Sequence, residues 1–379
     1  MGMALVAGTS AGGGLGPPAA YAGSLGHRPG GPRPPTTVGA APRRAAAPGA
    51  AQVLPLTPLP PPTTTVPPTT TVPPTTTVPA ATTATPATTG TDPPAPVALL
   101  SFPVASTPPA PVTSGPFVQE AGDGQWVPAG PPVATQPPIY TTTLHSFLTP
   151  VGVAWMDPRL LRFTLYAGTS QPGGTWSDDG AVGAADQPNL AATFNGGFQF
   201  AAAGGGWYAD GRTGYPLVDG AASLVVHSDG TATVGQWGRD ATLTPDVVAV
   251  RQNLRLLVDG GAPTPDASSA SPVYTWGATL GGVVSTFRSA LGVDAQGALL
   301  YVAGPYLSPL TLAEALVAVG AQRAMELDIN PQWVTYDTFT GAGAGAGYGA
   351  ASLMPAMSYP ADHFLQPYWR DFVAAFVRP

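Results

Sequence analysis

The sequence predicts an α+β fold, a strand-rich mixed sheet domain with few helices, preceded by a long disordered Pro/Thr-rich region. Three observations predict it. The chain has 48 prolines among 379 residues, concentrated towards the front. Large apolar and aromatic residues become frequent only from about Phe117. Beyond that point, short apolar runs cut by Gly, Asp and Pro have the length and composition of strands. The organisation read from these shifts is residues 1–54 as a disordered N-terminal region, 55–114 as a Pro/Thr-rich linker and 115–379 as one globular domain, long enough to bury a substantial core.

Taken in order, Met3 to Gly8 and the Ala20-Tyr21-Ala22 triplet read as the remnant of a signal or anchor, with no positive n-region and a short apolar run. Residues 61 to 78 repeat Pro-Pro-Thr-Thr-Thr-Val three times. Proline at that density favours polyproline II at about 3.1 Å per residue, so some forty residues span roughly 130 Å as a spacer. Such a reach suits a domain held away from a membrane or through a cell wall, and a plain tether is the equal alternative. We therefore expect an extracellular, wall-associated or membrane-tethered location, with the N-terminal region contacting the envelope.

Strands are expected at Val151–Trp155, Leu160–Tyr166, Ala191–Phe194, Ser223–His227, Thr231–Gly235, Leu254–Val258 and Ala298–Ala303. Ser228-Asp229-Gly230 and Asp294-Ala295-Gln296-Gly297 read as hairpin turns. A helix is expected from Thr311 to Val319: Thr311 and Glu314 fit a capping box, Leu312, Leu316 and Val319 recur at helical spacing, and Gly320 ends it. Strand, helix and strand from Ala298 to Ile329 then form a right-handed crossover. The run Gly341 to Gly349 reads as a flexible loop.

Charge and composition exclude several functions. All fourteen basic residues are Arg, and the net charge is −7. No basic surface remains to neutralise nucleic-acid phosphates. Cysteine is absent, which removes disulfides, thiolate nucleophiles and thiolate metal sites. Any catalysis must use oxygen and nitrogen groups.

Met325 to Asn330 carries the strongest chemical signal. Strand alternation sends Glu326, Asp328 and Asn330 to one face, and residues two apart lie roughly 6.7 Å from each other. That spacing suits paired carboxylates in glycoside hydrolysis. The same three oxygens suit Ca²⁺ or Mg²⁺, Asn330 is also expected to contact substrate, and a solvated polar strand face is the plain alternative. Asn195-Gly196-Gly197 follows a strand end; its glycines allow positive φ and close approach to a ligand, or simply a tight turn. Arg288 offers a bidentate, permanently charged group for a phosphodiester, or a structural partner for an aspartate. His145 and His227 read as structural. Trp207, Tyr208, Trp237, Trp276, Trp333 and Tyr336 are core residues or surfaces for stacking on sugar rings.

In order and spacing, Asn195-Gly-Gly-Phe198, Arg288-Ser-Ala-Leu-Gly-Val-Asp294, Leu310-Thr-Leu-Ala-Glu314 and Leu327-Asp328 resemble the phosphodiester glycosidase family over roughly residues 140 to 375. Ala154-Trp-Met-Asp157, Gly235-Gln-Trp-Gly-Arg-Asp240 and Met325-Glu-Leu-Asp-Ile-Asn330 look like an exported actinobacterial branch of it. The resemblance implies release of a sugar from a sugar-1-phosphodiester, with Asp328 or Glu326 as the carboxylate, Arg288 on the phosphate, Asn195, Gly196 and Gly197 on the sugar, and a carbohydrate or sugar-phosphate polymer as partner. The sequence departs from the family after Asp328: a glycine run ending in Ser-Ser or Ser-Thr is replaced by Ile329-Asn330-Pro331-Gln332-Trp333. That change implies a different substrate or lost activity. The alternative is a non-catalytic module binding cell-wall polysaccharide.

Overall fold

A computed structural model describes residues 110–268, 276–277, 283–340 and 349–379. The expected N-terminal region, most of the expected linker and residues 341–348 of the glycine-rich loop lie outside these residues.

Strands dominate. An eight-stranded sheet runs in the order β1 (Val127–Ala129), β2 (Ile139–Ser146), β3 (Thr149–Met156), β14 (Leu299–Leu307), β13 (Thr286–Asp294), β15 (Ala321–Glu326), β11 (Leu256–Asp259) and β12 (Ala262–Pro263). A five-stranded sheet has the order β7 (Arg212–Tyr215), β6 (Trp207–Ala209), β10 (Val247–Gln252), β8 (Ala222–His227) and β9 (Ala232–Gln236). A second has the order β17 (Gly349–Ser352), β16 (Tyr336–Thr340), β5 (Leu190–Asn195), β18 (Phe372–Val377) and β4 (Leu161–Tyr166). The sequence predicted a mixed sheet, but the strand pairs described within all three sheets are antiparallel. Hairpin loops account for the consecutive pairs such as β2 with β3 and β13 with β14, since a tight hairpin joins only antiparallel partners.

Both expected hairpins form. Gly230 takes φ +80° between β8 and β9. Between β13 and β14, the Asp294 Oδ1 accepts from the amides of Gln296 and Ala298 at 2.8 and 2.9 Å. The strand expected from Leu254 begins later, at Leu256, because Leu254 itself sits at φ +54°. The expected helix is α2 (Pro309–Ala318), preceded by the one-turn α1 (Phe200–Ala203). Its N-cap is Ser308, not Thr311: Ser308 Oγ accepts the Thr311 amide at 3.0 Å, and Pro309 occupies the first turn, where a missing amide does no harm. Gly320, at φ +97°, follows the helix end. β14 and β15 both flank β13 antiparallel to it, so they run parallel to each other and α2 makes the crossover.

The core forms two layers about the eight-stranded sheet. On one face, Leu300, Val302, Ala290 and Ala324 pack with Leu312, Ala315 and Leu316 of α2. On the other, Leu291, Val293, Leu299 and Tyr301 pack with Phe194, Ala192, Leu224, Val226 and Val373 of the five-stranded sheets. Apolar side chains fill both faces of the central strands, which accounts for their near-continuous hydrophobic runs.

Candidate functional site

Met325 and Leu327 pack between the sheets, while Ala290, directly opposite Glu326, packs towards α2. Glu326 therefore faces the helix. There it meets Arg288 in a short charge-assisted hydrogen bond from Nη1 to Oε1, with both side chains all but fully buried. The rest of the Arg288 guanidinium is occupied by main-chain carbonyls: Nε on Leu307, Nη1 on Trp276 and Nη2 on Val284, at 2.8 to 3.1 Å. Burial outweighs the guanidinium and lifts the Glu326 carboxyl to about 7, and its Oε2 has no hydrogen-bond partner among the described residues.

Asp328 does not share that face. The pairing of β13 with β15 runs on past the strand end, but Ser289 accepts the Leu327 amide at 2.8 Å and donates its own amide to the Asp328 carbonyl at 2.9 Å. Two residues thus oppose Ser289, a bulge that rotates the chain. Asp328 consequently turns towards the five-stranded sheets, where Arg370 Nη2 donates to its Oδ2 at 2.7 Å and the Asn330 amide donates to its Oδ1 at 2.9 Å. The expected row of Glu326, Asp328 and Asn330 is broken at this point. Each of the two carboxylates is bound to its own guanidinium, and Asn330 Oδ1 accepts from the Gln332 amide at 2.9 Å on the surface, so the three groups do not share one face. Among the described residues no cluster of three or more acidic or histidine side chains is spaced to hold a metal ion.

Asn195 ends β5 beneath Asp328. Its Nδ2 donates to Ser289 Oγ at 3.2 Å and to the Gly196 carbonyl at 2.8 Å, while its Oδ1 accepts from Tyr301 and from the Thr335 amide at 2.9 and 3.2 Å. Ser289 Oγ also lies 3.2 Å from the amide nitrogen and from the carbonyl oxygen of Asp328. Asn195, Ser289 and Asp328, from three distant segments, thus form one network. Gly196 and Gly197 are required by close approach to protein, not by positive φ: a Cβ on Gly196 would lie 2.0 Å from Asp371 Oδ2, and one on Gly197 would lie 2.9 Å from the Asn253 side chain. The Gly196 amide donates to the Asp371 carbonyl at 3.1 Å. The Gly197 amide has no acceptor among the described residues, and the Gly197 carbonyl accepts from Arg370 Nη2 at 2.7 Å.

Sequence reasoning missed Arg251, Asn253, Arg370 and Asp371. Arg251 holds Asp371 through Nε at 2.7 Å in a third buried ion pair. Asn253 Nδ2 donates to the carbonyls of Glu326 and Leu327 at 2.8 and 3.0 Å, fixing the chain entering the bulge. The available signal was Arg370-Asp371 next to an apolar strand, since charged residues are rarely buried there unless paired. Burial pushes the Asp328 carboxyl up, against the opposing pull of Arg370. Of the aromatic candidates, Trp207, Trp276 and Tyr336 are fully buried core residues and Trp237 is nearly so, whereas Tyr208 and Trp333 are half-buried. His145 and His227 each bond an aspartate at 2.8 Å, Asp123 and Asp246. A cleft of about 550 Å³ lies elsewhere, bounded by Arg162, Trp176, Asp178, Tyr208 and His227. Asp328 is 3% exposed.

No protein-family model matches the sequence, and no curated protein matches it. Among solved structures, the chain is similar to the catalytic domain of zebrafish N-acetylglucosamine-1-phosphodiester alpha-N-acetylglucosaminidase, auto-inhibited by its pro-peptide, at 18% identity and a TM-score of 0.42 over 66% of this chain and 87% of that one. It is also similar to a hypothetical protein from Synechocystis, at 13% identity and a TM-score of 0.35 over 66% of this chain and 64% of that one. Both are distant likenesses.

Proposed function

We propose that the domain is a hydrolase that cleaves the glycosidic bond of a sugar-1-phosphodiester, acting on cell-envelope glycans or sugar-phosphate polymers outside the cell. The observation that carries this reading is the convergence of Asn195, Ser289 and the Asp328 main chain in one buried network, with Arg370 on the Asp328 carboxylate beside it. The motifs Asn195-Gly-Gly-Phe198 and Leu327-Asp328 meet there. Asp328 acts on the anomeric carbon, either as the base that takes a proton from the attacking water or as the nucleophile. The C1–O bond breaks and the phosphomonoester departs as an anion, which needs little help from a general acid. Burial raises the Asp328 carboxyl, which favours its taking a proton in the reaction. Arg288, with its guanidinium spread over Glu326 and three carbonyls, positions β13 and the crossover, and the phosphate passes to Arg370. Glu326 holds Arg288 and leaves the chemistry to Asp328.

The test is to incubate the full chain with a panel of sugar-1-phosphodiesters and follow free sugar by mass spectrometry. Free sugar plus an intact phosphomonoester, lost in Asp328→Asn with the fold unchanged, is the expected result. Near-normal turnover in that variant refutes the assignment.

One observation favours a second reading, a non-catalytic module that binds wall polysaccharide. Both Asp328 oxygens are already engaged, by Arg370 and by the Asn330 amide of the replaced loop. Saturable glycan binding without product from any substrate decides for it.

A further inference from the structure

The segment that replaces the glycine run is a rigid turn. The Trp333 amide donates to the Asn330 carbonyl at 2.8 Å, and the Gln332 amide to Asn330 Oδ1 at 2.9 Å, so the turn is closed twice. It brings Trp333 beside Arg370, which in turn holds Asp328. There Trp333 meets Trp369 edge to face at 5.3 Å and the Tyr359 ring at 6.0 Å, and Tyr359 is backed by His363 and Tyr368 at 4.8 and 5.7 Å. Trp333, Trp369 and Tyr359 are only half-buried. Neither Trp333 nor Trp369 finds an acceptor for its indole N–H among the described residues.

Arg370 lies against this wall, its guanidinium carbon 5.5 and 5.6 Å from the Trp333 and Trp369 ring centroids. Its side chain is 5% exposed. Nη2 serves Gly197 and Asp328, but Nε and Nη1 have no acceptor among the described residues. Arg288 is the control: all three of its nitrogens are bonded. Neither nitrogen is among the buried polar atoms left without a partner, so the spare donors reach the surface and can take an anion from solvent.

We infer that Trp333, Trp369 and Arg370 form one subsite for a glycosyl phosphate, with the indoles taking the apolar face of the sugar ring and the free guanidinium edge taking the phosphoryl oxygens. This rests on the hydrolase reading for the bond that is cut, and it adds which side chains decide the substrate. The exposed rings are held from behind by other aromatics, so ring stacking immobilises little that is not already fixed. Arg370 joins phosphoryl group and Asp328, which brings the anomeric carbon between them to the carboxylate.

The experiment is isothermal titration of the full chain with α-D-glucose 1-phosphate, D-glucose and inorganic phosphate, for wild type, Trp333→Ala, Trp369→Ala and Trp333→Phe, each checked for an unchanged circular dichroism melt. Glucose 1-phosphate is expected to bind more tightly than either fragment. Each alanine variant should weaken it about tenfold while leaving inorganic phosphate unaffected, with Trp333→Phe near wild type. Glucose 1-phosphate binding no tighter than inorganic phosphate, or both alanine variants binding like wild type, overturns the subsite. The two readings fail separately. Tryptophan-dependent binding without hydrolysis of any diester keeps the subsite and removes the hydrolase, whereas hydrolysis with an unchanged KM in both alanine variants keeps the hydrolase and removes the subsite.

Discussion

Two buried ion pairs lie at successive carboxylates of one chain segment, and they are built differently. Arg288 and Glu326 face α2, where every nitrogen of the guanidinium has an acceptor and the pair belongs to the core. Arg370 and Asp328 face the five-stranded sheets, where the guanidinium keeps unused donors beside half-buried indoles. Residue type and burial are nearly the same in both. Saturation separates them: the Arg288 guanidinium has an acceptor for every nitrogen, while the Arg370 guanidinium has donors to spare among the described residues.

Four substitutions sharpen or break this contrast. The largest effect is expected from Asp328→Asn, a fall in turnover of roughly 10²–10⁴-fold with little change in melting temperature; a loss of stability instead of rate would make Arg370–Asp328 a second structural pair. Next, Arg288→Met strands the Glu326 carboxylate in the core and should destabilise by about 3–5 kcal/mol in urea unfolding, with turnover per folded molecule preserved. A selective loss of turnover there would return Arg288 to the phosphate. Ser289→Ala removes the hydroxyl that links Asn195 to the bulge and is expected to destabilise by about 1–3 kcal/mol, since two polar groups lose a buried partner. A matching fall in kcat with KM constant would show that the bulge positions Asp328.

The smallest effect tests burial without a guanidinium. Asp337 accepts from Ser352 at 2.7 Å, its Oδ2 has no hydrogen-bond partner, and burial lifts its carboxyl from 3.8 to about 7. The folded state therefore holds its proton more tightly than the unfolded chain, so the stabilisation is complete below about pH 3.8 and is lost as pH rises through about 7. His363, 3.6 Å away, is lowered by burial to about 4 and contributes in the opposite sense, above its ordinary 6.5 and lost as pH falls through 4. Asp337→Asn should raise the melting temperature at pH 8 and flatten its decline between pH 5 and 8. An unchanged slope would place the proton elsewhere.

Much of the fold was legible because it is set by local patterns. The hairpin at Asp294–Gly297 and the helix ending at Gly320 depend on residues within a few positions of each other, and both form. The cap moved from Thr311 to Ser308 because Pro309 is admissible inside the first turn. Asn195 and Asp328 were read from two separate segments, and the network joins their segments through Ser289.

The sequence by itself determined a cysteine-free, acidic chain with a proline-rich front, a strand-rich domain behind it, and the short list of side chains that could do chemistry. Tertiary structure decided how they are used. Alternation assigns a face only while the ladder stays in register, and one bulge opposite Ser289 sent Glu326 and Asp328 to opposite sides of the sheet. Whether an arginine is spent or free depends on carbonyls brought to it from other segments, Leu307, Trp276 and Val284 for Arg288, and Gly197 alone for Arg370. No sequence spacing carries that information, because the acceptors are main-chain atoms that every residue possesses.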